Sequence, residues 1–302
     1  MQTPVATPKR SSRKSRLLVS LLLAGLLGFA LDWLIAGAMI APCQRPVTLP
    51  ATTNLTVESV QFPSASGATL RGWLVPATNS PAVIILLHGV HADRRTMWGR
   101  VGFLHDHGYS LLLFDFQAHG ESLGRHITFG YLESRDATAA VAFARQRFPG
   151  QKIATLGVSM GGAAALLAQP PLAVDAMIVE SCYPTFSLAV ADRMIVRFGP
   201  LGKYAGPLLT WQMKPRLGIS ADDLRPIRAV AQTTVPKLIL SGEADPNTTL
   251  PETQALFAAA AGPKELLTFP GAGHQDLQAY APKIYEPKVL AFLTKYLARN
   301  PE

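Results

Sequence analysis

Continuous apolar runs alternate with amphipathic stretches along most of this chain. The runs Ala82–His88 and Ser110–Asp115 have almost no polar position in their interiors, which predicts strands buried on both faces of a sheet. Two earlier segments, Thr56–Phe62 and Thr69–Val75, flank the turn-like stretch PSASGA and predict a hairpin. Further buried strands are predicted at Ile153–Gly157, Ala176–Glu180, Lys237–Ser241 and Leu266–Phe269.

Helical patterns lie between these runs. They cover Tyr131–Phe148, Met160–Ala168, Leu250–Ala261 and Gln275–Leu297, and the first ends at a Pro-Gly stop signal. Strands that alternate with helices predict an α/β fold with a mostly parallel sheet of about eight strands and helices on both faces. The hairpin is expected at the antiparallel edge of this sheet.

One stretch departs from this alternation. Residues 184–229 are rich in Pro and Gly and contain Trp211 and several Leu residues. A loop of this length inside a compact domain is uncommon unless it is functional, so we expect a short helical cap over the strand ends. An ordinary irregular connection is the alternative.

The N-terminus carries a separate signal. The basic tail at 1–16 precedes the apolar stretch Leu17–Ala41, in which Asp32 is the only charged residue. Its 25 residues would span roughly 37 Å as a helix, enough to cross a hydrocarbon core of about 30 Å. Because positive residues stay in the cytoplasm, the rest of the chain is expected outside the bacterial inner membrane, on its periplasmic side.

A cleaved signal peptide is the competing interpretation of the same stretch. Its apolar region would be Leu17–Leu31, and Ala36-Gly37-Ala38 would be a small-residue cleavage site that releases a secreted protein. In either case a Pro-rich extended linker is expected at 42–53, and a catalytic domain with its cap insertion at 54–302.

Charge and cysteine usage exclude several classes of protein. The net charge is +8, but the basic tail contributes most of it, and no basic stripe with interleaved aromatic residues follows. We therefore expect no nucleic-acid partner. Cys43 and Cys182 allow at most one disulfide, and the chain has no CxxC motif or His/Cys cluster, which argues against a metal site.

Polar residues follow the predicted strands at their carboxyl ends, where open α/β sheets bind ligands. Ser159 follows one strand within LGVSMGG, Asp245 follows a later strand, and His274 follows the last. This order, serine then carboxylate then histidine, is that of an α/β nucleophile elbow with its base and orienting acid. Glu243 and Asp276 are rivals for the role of the acid.

The glycines around Ser159 have a physical reason. A nucleophile at a strand-to-helix turn has a strained backbone, and neighbouring side chains would collide. We assign Gly161 to relieving the turn and Gly162 to close packing of the following helix on the sheet.

Taken together, the motifs LLHGVHADR, FDFQAHGES, LGVSMGG, LSGEADPNT and FPGAGH resemble those of α/β-hydrolase-fold serine hydrolases, over about Leu55–Leu297. The stretch VQFPSASGATLRGWLVPA is similar to the opening hairpin of the bacterial dipeptidyl-aminopeptidase/acylaminoacyl-peptidase-like, or serine aminopeptidase-like, branch. The resemblance implies that the backbone amides of Val90 and Met160 form an oxyanion hole. It implies no metal or organic cofactor. Asp115, His119, Gly120 and Ser122 resemble a structural loop of the family, and His91 is a possible pocket residue.

The resemblance implies hydrolysis of a carboxylic ester or thioester through an acyl-enzyme on Ser159. The apolar insertion favours this interpretation, and the substrate expected is a small ester. A serine exopeptidase acting on short peptides is the alternative. A membrane-anchored interaction protein without activity is a third hypothesis, weakened because all three triad positions are filled.

Overall fold

The computed structural model describes residues 13–51 and 54–298, and the chain divides after Met39 into two compact units. In the first unit, helix α1 spans Arg13–Ile40, starting earlier than the apolar stretch predicted from Leu17. Its most apolar window has a mean hydropathy of 2.2. It is long and apolar enough to cross a membrane, as an anchor or as a signal sequence. Residues 1–12 of the predicted basic tail lie outside the described residues.

Eight strands form the sheet of the second unit. They are β1 Glu58–Pro63, β2 Thr69–Val75, β3 Ala82–Leu87, β4 Ser110–Phe114, β5 Lys152–Val158, β6 Ala176–Glu180, β7 Lys237–Gly242 and β8 Lys264–Phe269. Their spatial order is β8-β7-β6-β5-β3-β4-β2-β1. Strand β2 runs antiparallel to both of its neighbours, and every other pair is parallel. The predicted mostly parallel sheet with an antiparallel hairpin at its edge is confirmed.

The described residues form ten further α-helices beyond α1 and three 3-10 helices. The α-helices are α2 Val101–Asp106, α3 Tyr131–Arg147, α4 Met160–Leu167, α5 Phe186–Phe198, α6 Gly206–Trp211, α7 Met213–Leu217, α8 Pro226–Val230, α9 Leu250–Ala259, α10 Leu277–Tyr280 and α11 Pro282–Leu297. The 3-10 helices are Arg94–Arg100, Gly199–Tyr204 and Ala221–Asp223.

The sheet is covered on both faces, which explains the apolar runs. On one face, Ile84 and Leu86 of β3 join a core cluster with Leu104 of α2 and Val289 and Phe292 of α11. On the other face α4 packs directly on the strands. All six residues of β3 are buried. A strand enclosed in this way has no solvent-facing side on which polar residues could alternate.

The C-terminal helix predicted as one piece, Gln275–Leu297, is two helices. Ala281 separates α10 from α11 with an extended φ of −142°. The reason is the following residue, Pro282, whose ring disfavours helical backbone at the position before it. Asp276 caps α10, accepting hydrogen bonds from the backbone amides of Gln278 and Ala279. The prediction of a single helix was wrong on this point.

The insertion predicted at 184–229 contains helices α5 to α8, two of the 3-10 helices and short connections. We call this segment the cap. Thr185 caps α5 by accepting from the amide of Leu188. The first 3-10 helix packs closely on α5, because a Cβ at Gly202 would lie 2.0 Å from the carbonyl oxygen of Met194.

The stretch expected as a linker, 42–53, starts bound to the second unit. Cys43–Gln44 pairs with His119–Gly120 as a two-residue parallel bridge, and Arg45 forms an ion pair of 2.7 Å with Asp93. Residues 52 and 53 lie outside the described residues. Cys43 and Cys182 are both free thiols.

Candidate active site

Ser159 lies on a sharp turn between β5 and α4. Its backbone has φ 53° and ψ −114°, a region that residues with side chains rarely adopt. Two hydrogen bonds hold the turn: the Ser159 amide donates to the Glu180 carbonyl at 2.7 Å, and its carbonyl accepts from the Ala163 amide at 3.0 Å. Strain of this kind persists only where the surroundings impose it, and it often marks functional sites.

The glycines of LGVSMGG give space to neighbouring backbone. A Cβ on Gly161 would lie 2.2 Å from the carbonyl oxygen of Leu87, at the end of β3. A Cβ on Gly157 would lie 2.6 Å from the backbone of Gly161. Gly162 lies against Val179 of β6, as expected for close helix-to-sheet packing. Gly161 relieves the turn, as predicted, by leaving room for the Leu87 carbonyl, and its own backbone is not left-handed.

His274 and Asp245 are paired by a short hydrogen bond. Nδ1 of His274 lies 2.7 Å from Oδ2 of Asp245. The other carboxylate oxygen of Asp245 accepts from the amides of Asn247 and Thr248, at 2.8 and 3.0 Å. The Asp245 side chain is fully buried, whereas the side chain of His274 is 24% exposed. One oxygen of the carboxylate is thus fixed by the loop, and the other orients the imidazole.

Ser159 and His274 line one cavity of about 370 Å³ at the carboxyl ends of the strands. Val90, from the turn after β3, lines it too. Met160 is the first residue of α4, where a backbone amide has no acceptor within the helix. The remaining lining residues are Gly89, Ala92, Thr96, Met97, Arg100, Val158, Ser181, Arg193, Asn247, Gln275 and Asp276.

The two rival acids have other partners. Glu243 is exposed and accepts a hydrogen bond of 2.7 Å from Thr268. Asp276 caps α10 and accepts from Arg100 at 3.0 Å. Asp276 also lies at the cavity wall.

His91 is exposed and is not among the described residues that line the cavity. Its backbone has φ 57°, its amide donates to Nε2 of His119 at 3.2 Å, and its carbonyl accepts from Arg45 at 2.9 Å. The structure therefore places the predicted pocket residue on the outer side of the turn that carries Val90.

Two buried histidines support this turn. His88 Nδ1 lies 2.7 Å from the Gly89 carbonyl, so Nδ1 donates and Nε2 accepts, at 3.0 Å, from the amide of Phe116. His119 follows the same pattern, with Nδ1 against the Gln117 carbonyl. Burial lowers the pKa of His88 to about 4. Burial and the neighbouring His88 lower the pKa of His119 to about 3. Both rings are neutral at pH 7 and brace Val90 from either side.

The family-like loop after β4 is structural, as expected. The Asp115 carboxylate pairs with Arg94 and accepts from the amides of Arg94 and Glu121 at 2.8 and 2.9 Å. Gly120 has φ +49°, and a Cβ there would lie 2.3 Å from the Asp115 carboxylate. Ser122 donates to the carbonyl of Asp115.

A buried ionic network that was not predicted from the sequence reaches the cavity through Arg100. One guanidinium nitrogen of Arg100 lies 2.9 Å from both carboxylate oxygens of Glu180, and Tyr285 donates to Glu180 at 2.8 Å. Although burial opposes the charge, Glu180 and Asp276 hold the pKa of Arg100 well above its usual value. Since the carbonyl of Glu180 also accepts from Ser159, this network supports the elbow.

Two other residues line the cavity, of which Arg193 was not predicted. Arg193 of α5 reaches the cavity wall and donates to the Asn247 carbonyl at 3.4 Å, on the loop that carries Asp245. Ser181, with φ 47°, is a second serine in the same cavity. Arg193 has no sequence pattern of its own, because only the folded cap brings it to Ser159, whereas Ser181 directly follows the predicted strand Ala176–Glu180.

Comparison with known proteins agrees with this architecture. The protein YfhR of Escherichia coli O157:H7 is 25% identical over 260 residues, which cover 82% of this chain and 83% of YfhR. Rv2307c of Mycobacterium tuberculosis is 28% identical over 253 residues, covering 82% and 81%. The solved structure of the Pyrococcus furiosus esterase Pf2001 is 22% identical with a TM-score of 0.71, covering 85% of this chain and 100% of Pf2001.

A second solved structure, Est1E of Butyrivibrio proteoclasticus with bound ferulic acid, has a TM-score of 0.60 at 19% identity and covers 80% of this chain and 100% of its own. At these identities the solved structures show a shared fold. The model of the alpha/beta hydrolase family matches residues 84–284, which is well over half of the sequence. The chain belongs to the alpha/beta hydrolase family.

Proposed function

We propose that this protein hydrolyses carboxylic esters, or thioesters, through Ser159, His274 and Asp245. The observation that carries the proposal is the placement of Ser159 and His274 on one cavity, with His274 bonded to the buried Asp245 at 2.7 Å. A strained serine, a histidine and a buried carboxylate are the groups that acyl transfer needs for nucleophile, base and orienting acid.

The His274–Asp245 contact sets the tautomer of the base. With Nδ1 donating to Asp245, the lone pair of Nε2 is free to take the proton of the serine hydroxyl. Ser159 then attacks the ester carbonyl, and the alcohol leaves with the proton that His274 returns. Water activated by His274 hydrolyses the acyl-enzyme and regenerates the serine.

The amides of Val90 and Met160 are the proposed oxyanion donors. Val90 lines the cavity, and the Met160 amide is at the N-terminus of α4, where the helix dipole favours negative charge. Loss of one such donor typically raises the barrier by about 2.7–4 kcal/mol. Both donors are backbone amides, which a side-chain substitution cannot remove. The effect of the Val90 amide is therefore tested through the histidines that hold its turn, His88 and His119.

Ser159→Ala is the direct test, and Ser181→Ala is the matched control because both serines line the cavity. We expect Ser159→Ala to lose labelling by a fluorophosphonate and to reduce kcat on p-nitrophenyl esters by up to about 10⁶-fold, as in other serine triads. Ser181→Ala should still be labelled. Labelling that follows Ser181 instead would contradict the proposed nucleophile, and turnover of aminoacyl-nitroanilides without ester turnover would favour a peptidase.

We further propose that α1 remains attached as a single-pass anchor in the bacterial inner membrane, with the hydrolase unit on the periplasmic side. The support is the length and hydropathy of α1 together with the basic residues that precede its apolar stretch. The mass of the mature protein tests this, because signal cleavage would remove about 4 kDa of the 32.4 kDa chain and release a secreted enzyme. Protease digestion of spheroplasts should degrade the hydrolase unit.

A further inference from the structure

The outer side of the cap exposes large apolar side chains. Six of them, between 41% and 75% exposed, form what we call the cap face: Ile195, Val196, Phe198, Leu201, Tyr204 and Trp211. Soluble monomers rarely group such residues on one surface without a partner. The cap face therefore points to an apolar binding partner.

These six side chains do not take part in the apolar core of the cap. The inner side of α5 and α6 is already packed, with Val190, Met194 and Leu209 buried. Gly202 and Gly206 bring the 3-10 helix and α6 against the backbone of α5, so the three elements form one continuous surface. Within the described residues, the outward apolar side chains are therefore not needed to fill the interior of the cap.

Charge distinguishes between the possible partners. Residues 193–220 contain five basic residues and no acidic one, whereas the chain beyond residue 16 is otherwise close to neutral. Arg197 and Lys203 are exposed within the cap face, and the Lys203 ammonium lies 5.1 Å from the ring centre of Tyr204. Basic residues mixed with Trp, Tyr and aliphatic side chains suit the interface of an anionic lipid bilayer.

A second copy of the chain fits this surface less well. In a two-fold symmetric contact the same patch meets itself, so Arg197 and Lys203 would face their own copies. The cores of protein interfaces are depleted of charged residues, and Lys is disfavoured there. The cap face instead mixes its cations among the apolar side chains.

The chain also supplies a reason for a bilayer to be near. Helix α1 is long and apolar enough to span a membrane, and the second unit begins at Ile40, the last residue of that helix. The hydrolase unit therefore follows the apolar helix directly along the chain. We propose that the cap face inserts shallowly into the headgroup–acyl boundary of an anionic phospholipid bilayer.

Helix α5 links this surface to the cavity. Arg193 of α5 lines the cavity with Ser159, while Val196 and Phe198 of the same helix are exposed on the cap face. Because Arg193 and Val196 are less than one helical turn apart on α5, a bilayer bound at the cap face would lie close to the cavity wall. This placement favours amphipathic esters dissolved in the bilayer as substrates, an inference that rests on the ester hydrolysis proposed above.

Trp211 provides a direct probe in the full chain reconstituted into nanodiscs. The Trp211 signal is the difference in fluorescence between the wild type and the Trp211→Phe variant. Brominated phospholipids should quench this signal, and anionic brominated lipids should quench it more strongly than neutral ones. Lys203→Glu should weaken this quenching by reversing a charge at the anionic surface. Unquenched Trp211 fluorescence in the inserted protein would overturn the proposal.

The double variant Phe198→Ser/Leu201→Ser tests the functional consequence. Its matched control is Leu123→Ser, because Leu123 is 71% exposed and lies outside the cap. We expect the double variant to lose turnover of a long-chain ester embedded in the bilayer while retaining turnover of a short water-soluble p-nitrophenyl ester. The control should retain both.

Two outcomes would overturn the membrane assignment. An equal loss on both substrates would mean that the cap residues serve the structure of the site. Light scattering would assign the cap face to self-association if the wild type is a dimer and the double variant is a monomer, while the quenching of Trp211 by lipid is the same in both. If no ester is hydrolysed by any variant, the proposed function fails, whereas the Trp211 measurement still decides the lipid contact.

Discussion

His88 shows how a single ring supports the turn that carries Val90. Its two nitrogens bridge the Gly89 carbonyl and the Phe116 amide inside the core. In His88→Phe both backbone groups lose their partner, which costs about 1–3 kcal/mol for each buried group. We expect lower stability in urea unfolding and a lower kcat, because the turn that carries Val90, a proposed oxyanion donor, is no longer held.

The control for this change is His107→Ala. His107 is exposed, and its Nδ1 contacts only the Phe103 carbonyl of its own helix. Its removal should change the free energy of unfolding by less than about 0.5 kcal/mol. Equal effects of the two substitutions would show that the His88 bridge contributes nothing specific.

The same histidine makes stability depend on pH. Its pKa falls from 6.5 in the unfolded chain to about 4 in the fold because burial opposes the charge. The unfolded state therefore binds more protons between these values, so this contribution is present above pH 6.5 and is lost as the pH falls to about 4. The shift corresponds to about 3 kcal/mol.

Urea unfolding at a series of pH values between these limits measures this loss. Wild type should lose stability more steeply than His88→Phe, which has no ring to protonate. Parallel curves for the two proteins would contradict the assignment to His88. Burial and the neighbouring His88 lower the pKa of His119 to about 3, so its protonation should lower the stability further at more acidic pH.

At the scale of elements, the approach of α4 to the end of β3 depends on Gly161. A Cβ there would meet the Leu87 carbonyl at 2.2 Å, and backbone cannot rotate away as a side chain can. Gly161→Ala should therefore push α4 and Ser159 out of place, costing about 1–3 kcal/mol. We expect a lower Tm together with a lower kcat.

Gly102 of α2 offers the matched control. It is an exposed helical glycine whose added Cβ would have no neighbour within 4 Å. Gly102→Ala should raise stability by about 0.5–1 kcal/mol, since alanine favours the helix, and leave kcat unchanged. A Gly161→Ala variant as stable and active as Gly102→Ala would disprove the close approach.

Elements with a strong local pattern were predictable. The buried strands come from their apolar runs, and α3 from its helical spacing and the Pro-Gly stop. The break before Pro282 and the helices between β3 and β4 were not predicted. The reason for the latter is local: RRTMWGR has no clear apolar period, and an aspartate such as Asp93, which caps its 3-10 helix, is equally common in turns.

At the scale of the whole molecule, the candidate site was partly predictable for a topological reason. Parallel strands end at one edge, so Ser159, Asp245 and His274 could be placed together from their positions after strands alone. Arg100 and Arg193 could not, because they reach the cavity through contacts between distant elements, whereas Ser181 follows β6 directly and obeys the same rule as Ser159. Arg100, for example, meets Glu180 across 80 residues of chain.

The free state of both cysteines has a consequence for redox conditions. Cys182 is buried and Cys43 is half-buried, and burial raises the pKa of both thiols, which keeps them protonated and slow to react. The fold thus needs no oxidant to form and offers little thiolate to damage. Excess dithiothreitol should leave the Tm unchanged and iodoacetamide should leave ester turnover unchanged, whereas a Tm lowered by the reductant would reveal a disulfide. A protein built in this way can mature on either side of a membrane.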